Sequence, residues 1–421
     1  MKIPFRYFNN TPGTAAIRSA LANPNYRIYA MGSFCSHQGT WVQRVAVGWL
    51  AWELTHSGFW LGIVAFADLA PTVVLAPIAG VVADRVNRLH GSRVTQTLAA
   101  VLSFIMCWMA FAGWLSIEWL VTLVLIHGMV MAFNQPLRFA IVPSLVDRKD
   151  LGSAIAINSI SFNFARVAGP AAAGFLILHS GVAMGFLVNA VTYVIFIVTL
   201  FMIHLQMPPR GDSKPLRDVP GEILEGIQYC VRSPGVGPMF ILLGVYALFG
   251  RAYSELLPKF ADAVFNYGVE GFSMLTSATG AGSVVASIVL ARRGTVVGLT
   301  NFVAWNILVL SFSLVVLTAT TSIWIGLFSV FLAGFSMLCV GVGEQTLLQN
   351  SLPSDVRGRV MSLYGMISRG GPAIGALAIG WASDYIGLRW PVFCVALICL
   401  GLWLWVLPRR RGMAEALEKG A

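Results

Sequence analysis

The stretch ISFNFARVAGPAAAGFLI, from Ile160 to Ile177, is an apolar run of the length that crosses a bilayer as a helix. Arg166 lies near its middle, where a charged side chain is costly unless it faces a helix-bundle interior or a water-filled cavity. Gly169 and Pro170 follow, a pair that bends a helix. The stretch therefore predicts a membrane helix in which one buried charge needs a functional explanation.

The composition extends this prediction to the whole chain. Of its 421 residues, 57% are hydrophobic and 11% are charged, whereas a soluble domain carries about 25% charged residues. Apolar stretches of spanning length recur from Tyr26 to Leu407, without the alternation typical of barrel strands. We therefore predict an all-α polytopic membrane protein. Its twelve predicted spans are residues 26–54, 58–82, 93–113, 118–141, 151–178, 182–205, 237–261, 270–290, 297–318, 322–349, 357–384 and 389–407.

The net charge of +10 raises nucleic acid as a partner, but the placement of the charges argues against it. With the amino terminus in the cytoplasm, the external loops hold only Lys259 and Arg389 among the Lys and Arg residues. This predicts that both termini are cytoplasmic and that the basic segments meet anionic lipid headgroups. The residues before Tyr26 contain no apolar core, so we expect no signal peptide.

The chain contains one internal repeat. The first copy includes FNQPLRFAIVPSLVD (Phe133–Asp147) and RVAGPAAAG (Arg166–Gly174). The second includes GEQTLLQNSLPSDVR (Gly343–Arg357) and RGGPAIG (Arg369–Gly375). Such a six-plus-six repeat is typical of secondary transporters. We predict a cytoplasmic N-terminal segment (1–25), a six-helix bundle (26–206), a cytoplasmic linker with an amphipathic helix (207–236), a second six-helix bundle (237–408) and a cytoplasmic tail (409–421).

The sequence shows no signature of an enzyme or of a metal site. Its six cysteines form no CxxC pair, and no HExxH, P-loop or Gly-x-Ser-x-Gly motif occurs. We therefore expect no disulfide, no metal, no cofactor and no enzymatic activity. The segment GAGSVVA (Gly280–Ala286) mimics a dinucleotide fingerprint, but it follows no predicted strand and is interpreted as a helix-packing patch.

The loop after the second predicted span reads GVVADRVNR, Gly80–Arg88. It resembles the loop signature Gly-x-x-x-Asp-Arg-x-Gly-Arg of the major facilitator superfamily, with matches at Gly80, Asp84, Arg85 and Arg88. The stretch LANPNYRIYAMGSFCSHQGTWVQRVAVGWLAWELTHS (Leu21–Ser57) resembles the secretion-effector branch, which includes enterobactin exporters. The resemblance covers nearly the whole chain. It implies two pseudo-symmetric six-helix bundles in the bacterial inner membrane.

The resemblance also implies roles for two motifs. The residues of the loop signature would form a gate at the cytoplasmic side, with Asp84 near helix N-termini of the second half. The alternative is ordinary positive-inside charge. Residues Ala165–Gly174 resemble the family's antiporter motif, which accompanies export, with matches at Gly169, Pro170 and Gly174. The family's usual arginine in the fourth helix is missing, and His127 lies in that region.

Three acids are candidates for proton coupling, in the order Asp68, Glu255 and Glu344. Burial and a neighbouring arginine act oppositely on a carboxyl group, so a motion that moves the arginine switches the proton. For Glu255, a local pair with Arg251, four residues earlier, is an equally good explanation. A purely structural set of ion pairs among these acids and the four arginines in the spans is the general alternative.

Two groups of residues are candidates for substrate binding. His37, Trp41, Arg44 and Gly48 share one face of the first predicted span, which is interpreted as a cavity wall. The others are Arg166 and Arg369. The resemblance implies that the second and eleventh spans are neighbours, so that Asp68 could pair with Arg369. It also implies that the eighth span is the neighbour of the fifth, and the eighth span offers Arg166 no acid. We therefore expect Arg166 to meet an anionic or oxygen-rich group on the substrate, the alternatives being Asp68 or carbonyl groups freed at Pro170.

These observations favour a secondary transporter. We predict a monomeric, proton-coupled exporter (an antiporter) of a small organic amphiphile, such as a siderophore or a drug. A lipid or lysophospholipid flippase is the alternative, because the many aromatic side chains also suit an amphiphilic ligand. A membrane enzyme or scaffold is a remote alternative, since no nucleophile–base set is visible.

Overall fold

The computed structural model describes residues 13–204 and 219–418, and within these ranges the chain contains helices and turns but no strand. Before the linker, the helices are α1 (Gly13–Ala22), α2 (Pro24–Thr55), α3 (Gly58–Arg85), α4 (Arg88–Phe111), α5 (Ile117–Leu145), α6 (Leu151–Ser180) and α7 (Val182–Met202). After it, they are α8 (Val219–Arg232), α9 (Val236–Val245), α10 (Leu257–Lys259), α11 (Gly268–Arg293), α12 (Leu299–Ala319), α13 (Ile323–Ser351), α14 (Ser354–Ile386) and α15 (Arg389–Leu417).

The predicted fold class is confirmed. Ten of the described helical stretches are long and apolar enough to cross a membrane. The helices α2 and α14, which cover the first and eleventh predicted spans, are 32 and 33 residues long but are not among these ten. Both carry charged residues within their length, including Arg44 and Arg369. Helical stretches therefore lie at all twelve predicted positions.

The seventh predicted span is not a regular helix. Between α9 and α11 the chain forms a π-helical turn (Tyr246–Gly250), a 3₁₀ turn (Ala252–Leu256), the short α10 and a second π-helical turn (Phe260–Val264). We call this stretch, from Val236 to Val264, the broken helix. Such local changes of helical type alter which side chains share a face, and they occur often at functional sites.

The last helix extends past its predicted end at residue 407. α15 continues through Pro408 to Leu417, and the Glu418 carboxylate then accepts hydrogen bonds from the backbone N–H groups of Gly298 (2.6 Å) and Thr300 (2.9 Å). These N–H groups lie at the start of α12, where a helix has no internal acceptors for them. Much of the segment predicted as a tail is therefore helical.

Two sets of helices pack around a shared interface. We call α2–α7 the first half, and the broken helix with α11–α15 the second half. The halves meet mainly through α3 against α14 and α6 against α11, as the resemblance implied for the second and eleventh spans and for the fifth and eighth. Glycines allow these approaches, since a Cβ atom at Gly62 would lie 2.7 Å from the Ala376 carbonyl oxygen and one at Gly280 2.5 Å from that of Arg166. This confirms the packing interpretation of GAGSVVA.

The helix predicted in the linker is present as α8. It packs on α14, where Arg359 Nη1 lies 2.7 Å from Glu225 Oε2 and Gly226 contacts the side chain of Leu363. The opposite side exposes Leu224, Ile227 and Val231. Residues 205–218, which make up most of the predicted linker, lie outside the described part of the chain.

Candidate functional site: an arginine-rich interface between the halves

The two halves are joined at one end of the molecule, which we call the Ser57 end. Asp384 of α14 accepts hydrogen bonds from the backbone N–H groups of Gly58 (2.7 Å) and Phe59 (3.0 Å) and from the Ser57 hydroxyl (2.5 Å). Its Oδ1 also lies 2.6 Å from Lys259 Nζ. The carboxylate thus satisfies the first N–H groups of α3 and complements the positive end of its dipole.

Further contacts support this closure. Lys259 also donates to the carbonyl (3.1 Å) and hydroxyl (3.0 Å) oxygens of Ser383, and Trp52 Nε1 donates to Asp262 Oδ2 at 2.9 Å. Lys259 was expected in an external loop, but the residue is only 8% exposed. Sequence reasoning missed the Lys259–Asp384 pair because its members lie 125 residues apart. In the sequence, the pair was indicated only by a charged residue without an apparent counter-charge near the end of each predicted span.

Deeper in the interface, Arg44 Nη2 lies 2.7 Å from Glu255 Oε1, and this ion pair joins α2 to the broken helix. The predicted local pair between Arg251 and Glu255 is wrong. Arg251 instead donates to the Ser368 carbonyl oxygen at 3.0 Å. Since the residues between them form a 3₁₀ turn, the two side chains do not share a face as they would in an α-helix.

Asp68 lies beside this pair. It lines a cavity together with Arg44, His127 and Glu255. The predicted Asp68–Arg369 pair is wrong, since no ion pair joins these two residues in the described structure. The reason is the direction of the Asp68 side chain, which faces α2 and α5 inside the first half rather than α14.

His37 is held by residues on two other helices. Its Nε2 lies 3.1 Å from Arg138 Nη2, and its Nδ1 lies 3.1 Å from Ser161 Oγ. A guanidinium can only donate, so Nε2 is the acceptor and Nδ1–H donates to Ser161. Both ring nitrogens are thus engaged, and His37 offers a substrate only its ring surface. Sequence reasoning missed Arg138, although Ser33, which accepts a second bond from it at 2.6 Å, is one helical turn before His37.

Trp41 lies between two arginines. Its ring centroid is 5.6 Å from Cζ of Arg44 and 5.9 Å from Cζ of Arg166, within the range of cation–π attraction. Phe162 of α6 stands edge-on to the same ring at 6.0 Å. The structure therefore brings Arg166 of α6 to the helix face that carries Trp41 and Arg44.

Arg166 and Arg369 have no ionic or hydrogen-bonding partner for their guanidinium groups among the described residues. Both are half-buried. The charges within electrostatic range of Arg166 are those of Arg44 and Arg251, and Arg251 is also within range of Arg369. The alternatives predicted for Arg166, an Asp68 pair or carbonyl groups near Pro170, are not formed. The interface thus holds an excess of positive charge contributed by both halves.

Glu344 is completely buried in the second half, and neither carboxylate oxygen has a partner among the described residues. The nearby hydroxyls of Tyr246 and Tyr364 donate instead to the carbonyl oxygens of Met337 (2.6 Å) and Gly341 (2.8 Å). A buried carboxylate without donors is costly. Glu344 therefore lies in the interior of the second half, and its role in proton coupling stays a prediction.

The antiporter motif occupies contacts between helices. A Cβ atom at Gly169 would lie 2.5 Å from Cβ of Trp41, and one at Gly174 would lie 2.5 Å from Cβ of Ser273 on α11. The absence of a side chain at Gly169 thus allows α6 to pack closely on α2. The absence of a side chain at Gly174 allows α6 to pack closely on the second half. Pro170, between them in sequence, is buried.

The loop signature lies at the opposite end, between α3 and α4. Arg88 Nη1 donates to the Ala140 carbonyl oxygen at 3.0 Å, Arg85 is exposed, and Gly80 has open space around it. The side chain of Asp84 lies outside the described part of the structure. The gate role of these residues stays a prediction.

The fold and site can be compared with known proteins. The staphyloferrin A transporter of Staphylococcus aureus is 23% identical over 387 residues, which are 91% of this chain and 96% of that protein. The enterobactin exporter EntS of Escherichia coli is 24% identical over 365 residues, 85% of either chain.

Solved structures show the same fold. A POT family transporter in complex with a thioalcohol-conjugated peptide superposes with a TM-score of 0.74 at 13% identity, covering 94% of this chain and 99% of that one. A bacterial homologue of the human lysosomal transporter Spinster, inward-facing and unoccupied, gives 0.72 at 14% identity, covering 94% and 98%.

The family model of transmembrane secretion effectors matches residues 15–417. The match takes in both halves, the site between them and α15. The chain therefore belongs to the transmembrane secretion effector family of the major facilitator superfamily, and it is a membrane transporter rather than an enzyme.

Proposed function

We propose that this protein is a proton-coupled exporter of a small organic anion, working by alternating access in the bacterial inner membrane. The observation that carries the proposal is the pair of half-buried arginines, Arg166 and Arg369, one in each half and both without an ionic or hydrogen-bonding partner among the described residues. A buried guanidinium without a counter-charge is untenable unless water or a ligand meets it. The names of two relatives, a siderophore transporter and a siderophore exporter, support a siderophore as the substrate.

The geometry suits a substrate that touches both halves. The planar forks of Arg166 and Arg369 favour carboxylate or other paired oxygen acceptors. Trp41 offers an aromatic face beside Arg166. Arg44 supports Trp41 from the other side, and His37 contributes its ring.

Alternating access follows from the contacts between the halves. By the positive-inside rule the Ser57 end faces outward, so the described conformation is closed on that side. Export requires the Asp384 contacts with α3 to break while contacts form at the opposite end. Gly80, Asp84, Arg85 and Arg88 would serve as the gate there. Gly174 would keep α6 in sliding contact with the second half, while Gly169 and Pro170 would shape α6 within the first half.

Proton coupling is assigned to Asp68, Glu255 and Glu344. Arg44 lies between Asp68 and Glu255, and Glu344 is buried without a donor. Movement of Glu255 with the second half changes the charge that Asp68 experiences, which is the condition for switching a proton. The protein would act as a monomer, with lipids around it.

Uptake into inside-out vesicles tests the proposal. Vesicles with and without the protein receive a set of radiolabelled siderophores, neutral drugs and a headgroup-labelled lysolipid, at an imposed pH gradient. We expect accumulation of an anionic siderophore that stops when the gradient is collapsed. Translocation of the lipid alone would favour the flippase alternative, and uptake that ignores the gradient would exclude proton coupling.

A further inference from the structure

The first half contains a cavity, lined by apolar and ionisable side chains, beside the arginine-rich interface. Arg44 of α2, Asp68 of α3 and His127 of α5 line it, and Glu255 enters from the second half. Ionisable side chains inside a membrane bundle are costly and are usually functional. The arginine site does not explain why His127 is placed here.

His127 and Asp68 are neighbours because their helices are in close contact at this level. A Cβ atom at Gly128 would lie 2.8 Å from the Asp68 carbonyl oxygen, which brings α5 against α3. His127 is only 8% exposed, and its Nε2 lies 3.2 Å from the Tyr193 hydroxyl oxygen on α7. Asp68 lies within electrostatic range of His127. The imidazole therefore lies between a carboxylate and a hydroxyl.

The charges in this cavity do not balance. With His127 neutral, Arg44 supplies one positive charge, and Asp68 and Glu255 supply two negative charges. One proton on His127 or Asp68 restores neutrality. Glu255 belongs to the other half, so its charge is in the cavity only while the two halves are closed at this level. The remaining ionisable groups facing this pair are Tyr193 and, beyond it, Arg138.

We propose that His127 and Asp68 together bind one proton, and that this proton favours the conformation in which the Ser57 end is closed. The inference rests on the proposed proton-coupled export and identifies its proton site. Closure brings the Glu255 carboxylate beside Arg44, and the proton offsets the added negative charge. By linkage, closure strengthens proton binding by the same factor. The proton comes from water at the open end and returns to water, with no other bond changed.

Distance measurements across the Ser57 end test this. The full chain, with its native cysteines replaced and with Ser180→Cys and Thr321→Cys for spin labels, is placed in lipid nanodiscs; both sites are exposed and lie in opposite halves. Double electron–electron resonance between pH 5 and pH 8 then reports the ratio of closed to open molecules. We expect this ratio to rise as pH falls, by at most about ten-fold per pH unit for one proton.

Three variants identify the groups involved. Asp68→Asn should stay closed at every pH, because the charge that needs a proton is gone, and His127→Gln should lose the pH response. Tyr193→Phe keeps the ring but removes the hydroxyl group that contacts His127. It should shift the pH at which half of the change in the closed-to-open ratio has occurred. His179→Gln is the matched control: this exposed histidine bonds only to its own helix, at the Phe175 carbonyl oxygen, and should respond as the wild type does.

A wild-type protein without a pH response overturns the inference. So does an unchanged response in both Asp68→Asn and His127→Gln, or, if His127→Gln does not fold, in both Asp68→Asn and Tyr193→Phe. The transport assay is independent of these outcomes. A protein that closes with falling pH but exports nothing would contradict the proposed function and leave the proton site standing.

Discussion

The carboxylate of Asp384 lies 2.7 Å from the backbone nitrogen of Gly58, so a side chain of the second half completes the first turn of a helix in the first half. The bond is possible because α3 begins at Gly58 and its first N–H groups have no acceptor within the helix. The same carboxylate forms an ion pair with Lys259. Asp384 thus makes the polar contacts that hold α3 at this end, beside the Trp52–Asp262 bond.

Replacing this acid should open the Ser57 end. Asp384→Asn keeps the shape but loses the negative charge, which weakens the bonds to α3 and the pair with Lys259. Hydrogen bonds to charged groups contribute roughly 1.5–3 kcal/mol, so the balance should move about ten-fold or more toward open molecules. The distance between spin labels at Ser180→Cys and Thr321→Cys, across the Ser57 end, measures this. Glu118→Gln is the control. Glu118 is an exposed acid of the first half that accepts a hydrogen bond from Ser116 of the same half, so its replacement should leave the ratio of open to closed molecules unchanged.

Arg166 should decide substrate affinity rather than stability. Arg166→Gln removes the positive charge, and Arg166→Lys keeps the charge but removes the planar guanidinium group. Neither substitution breaks an ion pair within the described structure. We expect at least ten-fold weaker transport in both, with the melting temperature unchanged or raised. Arg409→Gln, an exposed arginine that bonds only within α15, is the control. Loss of stability with intact affinity in both variants would make Arg166 a structural residue.

Glu344 should affect coupling without stabilising the fold. Glu344→Gln removes an ionisable group that receives no hydrogen bond in the described structure, so no stabilising contact is lost. We expect an unchanged or higher melting temperature, retained exchange of substrate across the membrane, and loss of accumulation driven by the pH gradient. Driven accumulation at the wild-type level would show that Glu344 carries no proton.

A larger residue at Gly62 should prevent closure. A Cβ atom there would lie 2.7 Å from both the Ala376 carbonyl oxygen and Cα of Leu377, closer than side chains approach backbone. Gly62→Val should therefore force α3 away from α14, and spin labels across the Ser57 end should show a longer distance. Gly401→Val on α15 is the control, because nothing lies within 4 Å of a Cβ atom at that position. Equal distances in the two variants would contradict this account of the contact.

Local properties of the chain were sufficient for the fold and for part of the site. Apolar runs of spanning length, the repeat and the loop signature predicted the helices, their pairing across the halves and the family. The face formed by His37, Trp41 and Arg44 was predicted correctly, because residues three or four apart share a side of an α-helix. The lack of a partner for Arg166 was also anticipated, from the missing acid on the neighbouring helix.

The pairing of charges could not be predicted in this way. Arg251 and Glu255 have the spacing of a helical pair, but the irregular turns of the broken helix separate them. Asp68 is at the depth of Arg369, yet it faces the interior of its own half. Arg138, to which the sequence assigned no role, fixes the ring of His37.

By itself, the sequence determined that this protein is a twelve-helix transporter with arginines at its centre, because bilayer thickness and helical period act on neighbouring residues. Only the tertiary structure decided which charges are neutralised and which remain for a ligand. Glu255 meets Arg44 across 211 residues, and Asp384 meets Gly58 across 326. Such pairs depend on the rotation of each helix about its axis, which is set by the packing of all its neighbours together.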